Sequence, residues 1–317
     1  MQTILVQPGE NALQSTIDSL PRDDSPVTLH LAPGTYREKI TLNRSNTTLE
    51  GEDAASTVII WADGANEMMP DGLKRGTFRS YTMLMDADHV TLRRLSIVNA
   101  AAPREKVGQA VALYADGDCF TCEDCVLSSF QDTLFTAPLP PKELQKNGFI
   151  GPKQFAPRLP QRHTYRRCRI EGDVDFIFGS AAAWFEACDI VSVDGRADCS
   201  TPAEGYATAA STPEGQRFGY VFSHCRFLGE GVKEGSVYLG RPWRDYAKTV
   251  LLHCELGPHI RPEGWHDWDK PAFHGTGLYA EYGCTGPGAA GERAPFARRL
   301  TEAEAAAYTY EAFLASL

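Results

Sequence analysis

The aspartate inside the apolar run Val174-Asp175-Phe176-Ile177-Phe178 poses the chemical question of this chain. A carboxylate among aliphatic and aromatic neighbours is costly unless a cation or several donors meet it. Arg241, in Leu239-Gly-Arg-Pro-Trp243, is the leading candidate cation. The aspartate's run belongs to the dense segment Gly172-Asp-Val-Asp-Phe-Ile-Phe-Gly179, and two others, Gly108-Gln-Ala-Val-Ala-Leu113 and Ser129-Phe-Gln-Asp-Thr-Leu134, likewise mix rare polar residues with apolar ones. Signatures of serine, metal and phosphate chemistry are missing. There is no Gly-x-Ser-x-Gly elbow, no His-Glu-x-x-His, no phosphate-binding glycine loop, and the 8 histidines are scattered. If the chain is a hydrolase, carboxylates carry it. Each reading has a structural counterpart: Asp132 as a turn aspartate bonding its own backbone, and Asp175 with Arg241 as an ion pair that only stabilises.

The elements that must position these residues show in a repeated phrase. An apolar residue, two polar or small residues, Cys, one residue and another apolar residue recur as Tyr165-Arg-Arg-Cys168-Arg-Ile170, Phe185-Glu-Ala-Cys188-Asp-Ile190, Phe222-Ser-His-Cys225-Arg-Phe227 and Leu251-Leu-His-Cys254-Glu-Leu256. Cys122-Glu-Asp-Cys125-Val-Leu127 is a further copy, and Leu92-Arg-Arg-Leu95-Ser-Ile97 has Leu at the Cys position. That exchange marks a small apolar site rather than a metal ligand. Short strands recurring at irregular intervals, with variable loops and no long amphipathic helix, predict an all-β solenoid, a parallel β-helix, rather than a sandwich with even hairpin spacing. The cysteines then form an internal ladder. Helices are expected at the ends: Ala12 to Pro21, with apolar residues at helical spacing, and Leu300 to Tyr308, with a Thr301/Glu304 capping box. Both are expected to hide solenoid edges. The Pro-, Gly- and Lys-rich stretch from Ala137 to Arg162 reads as a long loop projecting from one coil. No linker divides the chain, so one domain over 1–317 is expected.

Composition narrows the partners. The 317 residues are 43% hydrophobic with a net charge of −10, which argues against nucleic acid and anionic membranes, and no apolar run reaches membrane-spanning length. The 9 cysteines, an odd number, make a poor disulfide framework, so free thiols are expected. Cys119-x-x-Cys122-x-x-Cys125 lacks the fourth Cys-Pro of a cluster-binding run.

The dense segments, in this order, resemble the motifs of the pectin methylesterase (pectinesterase) family. Pro33-Gly-Thr-Tyr-Arg-Glu38, Gly205-Tyr-Ala-Thr-Ala-Ala-Ser211 and Tyr279-Ala-Glu-Tyr-Gly283 extend the likeness over nearly the whole chain. The resemblance implies a right-handed parallel β-helix with a shallow cleft that hydrolyses C6 methyl esters of galacturonate to pectate and methanol, with no metal or other cofactor. It implies that Asp175 is the nucleophile, Asp132 the general acid and base, Gln109 and Gln131 the oxyanion amides, and Arg241 the residue orienting Asp175. Trp243 is implied as the sugar platform and Thr77 as a further substrate contact, with Gln109 and Arg241 also touching substrate. Trp265 and Trp268 stay open between sugar contact and core.

Two aspartates with opposite jobs need opposite environments: an arginine keeps Asp175 ionised, whereas burial and its neighbour's charge keep Asp132 protonated near neutral pH. Whether Asp175 attacks the ester itself or activates water is open at this level. A lyase would want a basic residue and acidic calcium ligands, and a silent carbohydrate-binding solenoid would have lost a catalytic residue; neither pattern is met. The expected partner is methylated homogalacturonan or its oligosaccharides, bound by a monomer. The −10 charge suggests a preference for densely methylated substrate. The long stretch between Asp132 and Asp175 is expected to sit beside the cleft and restrict what fits. Reduced thiols and a start directly at the first strand suggest a cytoplasmic location, or an extracellular one if a leader has been removed.

Overall fold

The computed structural model describes residues 2–23, 25–198 and 204–316. Within them the short strands stack in parallel into three sheets of 11, 7 and 8 strands. The solenoid is a right-handed parallel β-helix. Alternation within each strand decides which side chains point inward. In Thr47–Gly51, for example, buried and half-buried positions alternate.

Coil-to-coil register turns the repeated phrase into ladders. Leu49 pairs with Leu92, Leu92 with Cys122, Cys122 with Tyr165, Tyr165 with Phe185 and Phe185 with Phe222. The ring centroid of Phe185 lies 4.7 Å from that of Tyr165 and 4.4 Å from that of Phe222. The next corner carries Leu95, Cys125, Cys168, Cys188, Cys225 and Cys254, all buried. The residue before each is left-handed: Arg94, Asp124, Arg167, Ala187, His224 and His253 have φ between 50° and 53°. A non-glycine residue there costs about 1–2 kcal/mol. The ladder offsets that cost by bonding each corner to the next, as Arg169 N–H donates to Cys125 O and Asp189 N–H to Cys168 O, at 2.9 and 2.8 Å. Cys fits this corner because its thiol is small and reaches the carbonyl two residues back, for instance Cys168 Sγ to Arg166 O at 3.3 Å. The eight described cysteines are free, as the odd count suggested, and Cys199 lies outside the described residues.

The ends differ in detail from the sequence expectation. Helix Ala12–Ser19 buries Leu13 and Ile17 against the first coils. The C-terminal segment forms two short helices, Glu302–Ala305 and Tyr310–Leu314, the first with the expected capping box. They pack on the outer face of the 11-stranded sheet, with Ala305 and Phe313 against Trp184, Phe218 and Val221, rather than across the last coil. Outward-facing apolar residues on that sheet give them a better surface than the solenoid end. No described helix is long and apolar enough to cross a membrane.

Candidate active site

The 7-stranded sheet carries the dense polar segments. Gln131 and Asp132 precede strand Leu134–Thr136, Asp175 lies within Val174–Gly179, and Arg241 follows Val237–Gly240. Parallel stacking therefore brings residues far apart in sequence to one strip of surface. Ala110 N–H donates to Gln131 O at 2.9 Å and Asp132 N–H to Val174 O at 3.1 Å, joining three successive coils behind the site. Gln109 follows Gly108, which has φ +71° and whose added Cβ would meet Asn66 Nδ2 at 2.9 Å; no other residue fits there without strain.

All seven residues singled out by sequence, Thr77, Gln109, Gln131, Asp132, Asp175, Arg241 and Trp243, line one cavity of about 430 Å³. Both aspartates are in left-handed conformation, Asp132 with φ 66° and Asp175 with φ 51° at a register shift between Val174 and Ile177. Backbone strain of this kind persists only where surrounding structure fixes it, and it gathers at functional sites. The two carboxyls are equally buried, each residue 7% exposed, yet their surroundings differ.

Arg241 donates from Nε to Asp175 Oδ1 at 2.8 Å and from Nη2 to Oδ2 at 2.7 Å. The guanidinium is itself clamped between the Tyr206 and Trp268 rings, 3.8 Å from each centroid. Burial pushes the Asp175 carboxyl up, and Arg241 opposes that push without cancelling it. Asp132 has no such cation bound to it among the described residues: burial first, and the Asp175 charge second, drive its carboxyl well above the ordinary range. Burial thus raises both carboxyls, Asp132 the further, and only Asp175 is matched to a permanent cation. This is the asymmetry that acid and nucleophile chemistry on a carboxylate pair requires.

Trp243 presents its ring to the cavity from an aromatic cluster, 5.7 Å from Phe178, 6.2 Å from Phe149 and 6.5 Å from Phe78. Thr77 opens the turn Thr77–Arg79 on the same rim. The two open tryptophans separate. Trp268 lines the cavity, whereas Trp265 is core, stacked 4.3 Å from Tyr279 with Nε1 donating to Glu281. Sequence reasoning did not single out Lys270 and Arg244. Lys270 lies in the cavity wall, donates to Pro242 O and Trp243 O, and is held at about 8 by burial and then by Arg244. Arg244 stacks on Trp243 and donates to Lys142 O. Their only sequence signal was position, beside Trp243 and after Trp268.

Comparison with known proteins decides the family. The pectinesterase family model matches residues 9–139 and 158–316. The chain belongs to the pectinesterase family. Pectinesterase 2 of Olea europaea is 34% identical, over 93% of this chain and 72% of that one. Among solved structures, pectin methylesterase PemA from Erwinia chrysanthemi superposes with a TM-score of 0.79 at 29% identity, covering 99% of this chain and 97% of that one. A pectin methylesterase in complex with a hexasaccharide gives 0.78 at 30% identity, covering 96% and 92%. As a pectinesterase the chain is a carboxylic ester hydrolase. The stretch the family model leaves out, 140–157, is the projecting loop, and it supplies Leu144, Gln145, Gly148 and Phe149 to the wall of the cavity.

Proposed function

We propose that this pectinesterase cleaves C6 methyl esters of galacturonate in pectin through Asp175 and Asp132. The observation that carries the reading is the asymmetric pair: two buried carboxyls in one cavity, only one of them bound to an arginine. Asp175, ionised and aimed by Arg241, attacks the ester carbonyl carbon. Asp132 donates its proton to the departing methoxyl oxygen, so methanol leaves and an acyl-enzyme remains. Water then attacks that acyl carbon, Asp132 takes a proton back, and Asp175 departs as carboxylate. A carboxylate is a weak nucleophile, so its placement and partial desolvation supply much of the effect. The side-chain amides of Gln109 and Gln131 stabilise the oxyanion, at roughly 3 kcal/mol each. Trp243 offers its face to a sugar ring, and Thr77 a further contact.

The substrate is methylated homogalacturonan or its oligosaccharides, a reading supported by the neighbour solved with a hexasaccharide. The stacked free thiols favour a reducing compartment, so a cytoplasmic site of action belongs to the same proposal. The test is methanol release from methylated pectin. The wild type is expected to release it, and Asp175→Ala and Asp132→Asn to lose at least about a hundredfold in kcat. No methanol from the wild type sinks the activity, and near-normal turnover by either variant sinks the role assigned to it.

A further inference from the structure

Asp173 stands two residues before Asp175, is 3% exposed, and has no part in the chemistry above. Its Oδ1 accepts from Val174 N–H at 2.7 Å, and its Oδ2 from Gly195 N–H at 3.3 Å. Arg104 Nε lies 2.5 Å from the same Oδ2, an ion pair rather than an aligned hydrogen bond. The residue pinned in this way is the one whose carbonyl, Val174 O, receives the Asp132 N–H. Arg104 opens the helical turn Arg104–Val107 that leads through Gly108 to Gln109, and its own N–H donates to Gly195 O at 2.9 Å.

We propose that Asp173, paired with Arg104, is a positioning residue that locks together the backbones carrying Gln109, Asp132 and Asp175. The inference rests on the ester-hydrolase reading above. Each of those three residues comes from a different coil, and two of them hold left-handed conformations, which aspartate tolerates better than most residues but which persist only where surrounding structure fixes them. The buried carboxylate holds the Val174 and Arg104 segments directly, and the Asp173 N–H, donating to Phe130 O at 3.1 Å, ties in the coil of Asp132, fixing their spacing where a shift of about 1 Å costs on the order of a hundredfold. Asp173 also bears on Asp132 electrically, because its negative charge helps raise the Asp132 carboxyl. Burial sets Asp173 itself at about 6; Arg104 opposes this and the facing Asp194 adds to it. Above that pH its charge is in place.

The experiment compares Asp173→Ala, Asp173→Asn, Arg104→Gln and Arg104→Lys with the wild type, recording kcat, KM and the pH profile on methylated pectin. Circular dichroism and thermal melting check folding. Asp173→Ala is expected to lower kcat roughly 10- to 100-fold with KM within about twofold. Asp173→Asn keeps an acceptor for Val174 N–H but loses the ion pair with Arg104, so its kcat falls about tenfold, as for Arg104→Gln. Having lost the charge, it moves the alkaline limb to lower pH, since Asp132 gives up its proton more readily. Arg104→Gln lowers kcat about tenfold and Arg104→Lys restores most of it. A residue needed only for folding would change melting without moving the pH profile. If Asp173→Ala does not fold, Asp173→Asn and Arg104→Gln decide. Turnover within about twofold of wild type and superimposable pH profiles in both overturn the inference. That failure is distinct from failure of the activity itself, in which the wild type releases no methanol.

Discussion

At the scale of single residues, the two cavity aspartates predict opposite effects on stability. Asp132 holds its proton more tightly in the fold than in the unfolded chain. Its contribution is therefore complete below its ordinary value of 3.8 and is lost as pH rises through the folded value. Asparagine is neutral in both states and needs no proton on folding, so Asp132→Asn is expected to raise stability at pH 7 by about 1 kcal/mol while lowering turnover at least about a hundredfold, the gain vanishing below about pH 4. Asp175→Ala does the reverse. It leaves the Arg241 guanidinium buried without its carboxylate and is expected to cost about 3 kcal/mol. Urea titrations of both variants at pH 7 and pH 4 measure the two signs. Equal shifts in the same direction would mean that both aspartates share one protonation state.

At the scale of elements, the projecting loop is the part of the cavity wall that the family model does not cover. It is held to the coils by Lys153, which bridges Asp86 at 2.5 Å and Asp116 at 3.4 Å. It presents Leu144, 71% exposed, to the cavity and buries Phe149 against Phe78 and Trp243. A wall that touches substrate and not the reacting atoms changes ground-state and transition-state binding alike. Phe149→Ala is therefore expected to raise KM for methylated oligosaccharides roughly tenfold and to leave kcat within about threefold. Steady-state kinetics on a hexamer and a dimer check this. A fall in kcat at constant KM would place the loop in the chemistry instead.

At the scale of the molecule, charge and cleft act at different distances. The net charge of −10 repels a polyanion on approach, whereas Arg244 and Lys270 in the cavity wall attract carboxylates only on contact. Encounter is governed by the long-range field, which salt shortens from about 30 Å at 0.01 M to about 8 Å at 0.15 M. On sparsely methylated pectin kcat/KM is thus expected to rise about threefold or more over that range, and on densely methylated pectin to stay level. Stopped methanol assays across ionic strength decide it. A fall with salt on the sparse substrate would show that these two cations outweigh the surface.

The sequence alone determined the solenoid and the identity of the polar residues. Its repeated Cys and Leu corner and its strand alternation are local signals, set by side-chain size and by which face is buried. The buried setting of Asp175 and the candidacy of Arg241 were legible for the same reason, since an aspartate in an apolar run demands a cation. Only the tertiary structure decided what depends on which coil lies beside which. It separated Trp268 from Trp265, brought Lys270 and Arg244 to the cavity, and tied Asp173 to Arg104. It also shortened the expected C-terminal helix to Glu302–Ala305, added a second one at Tyr310–Leu314, and laid both on the outer face of the 11-stranded sheet. Pairwise distances between residues far apart in the chain follow from coil register and loop path, and no local pattern of residues encodes those.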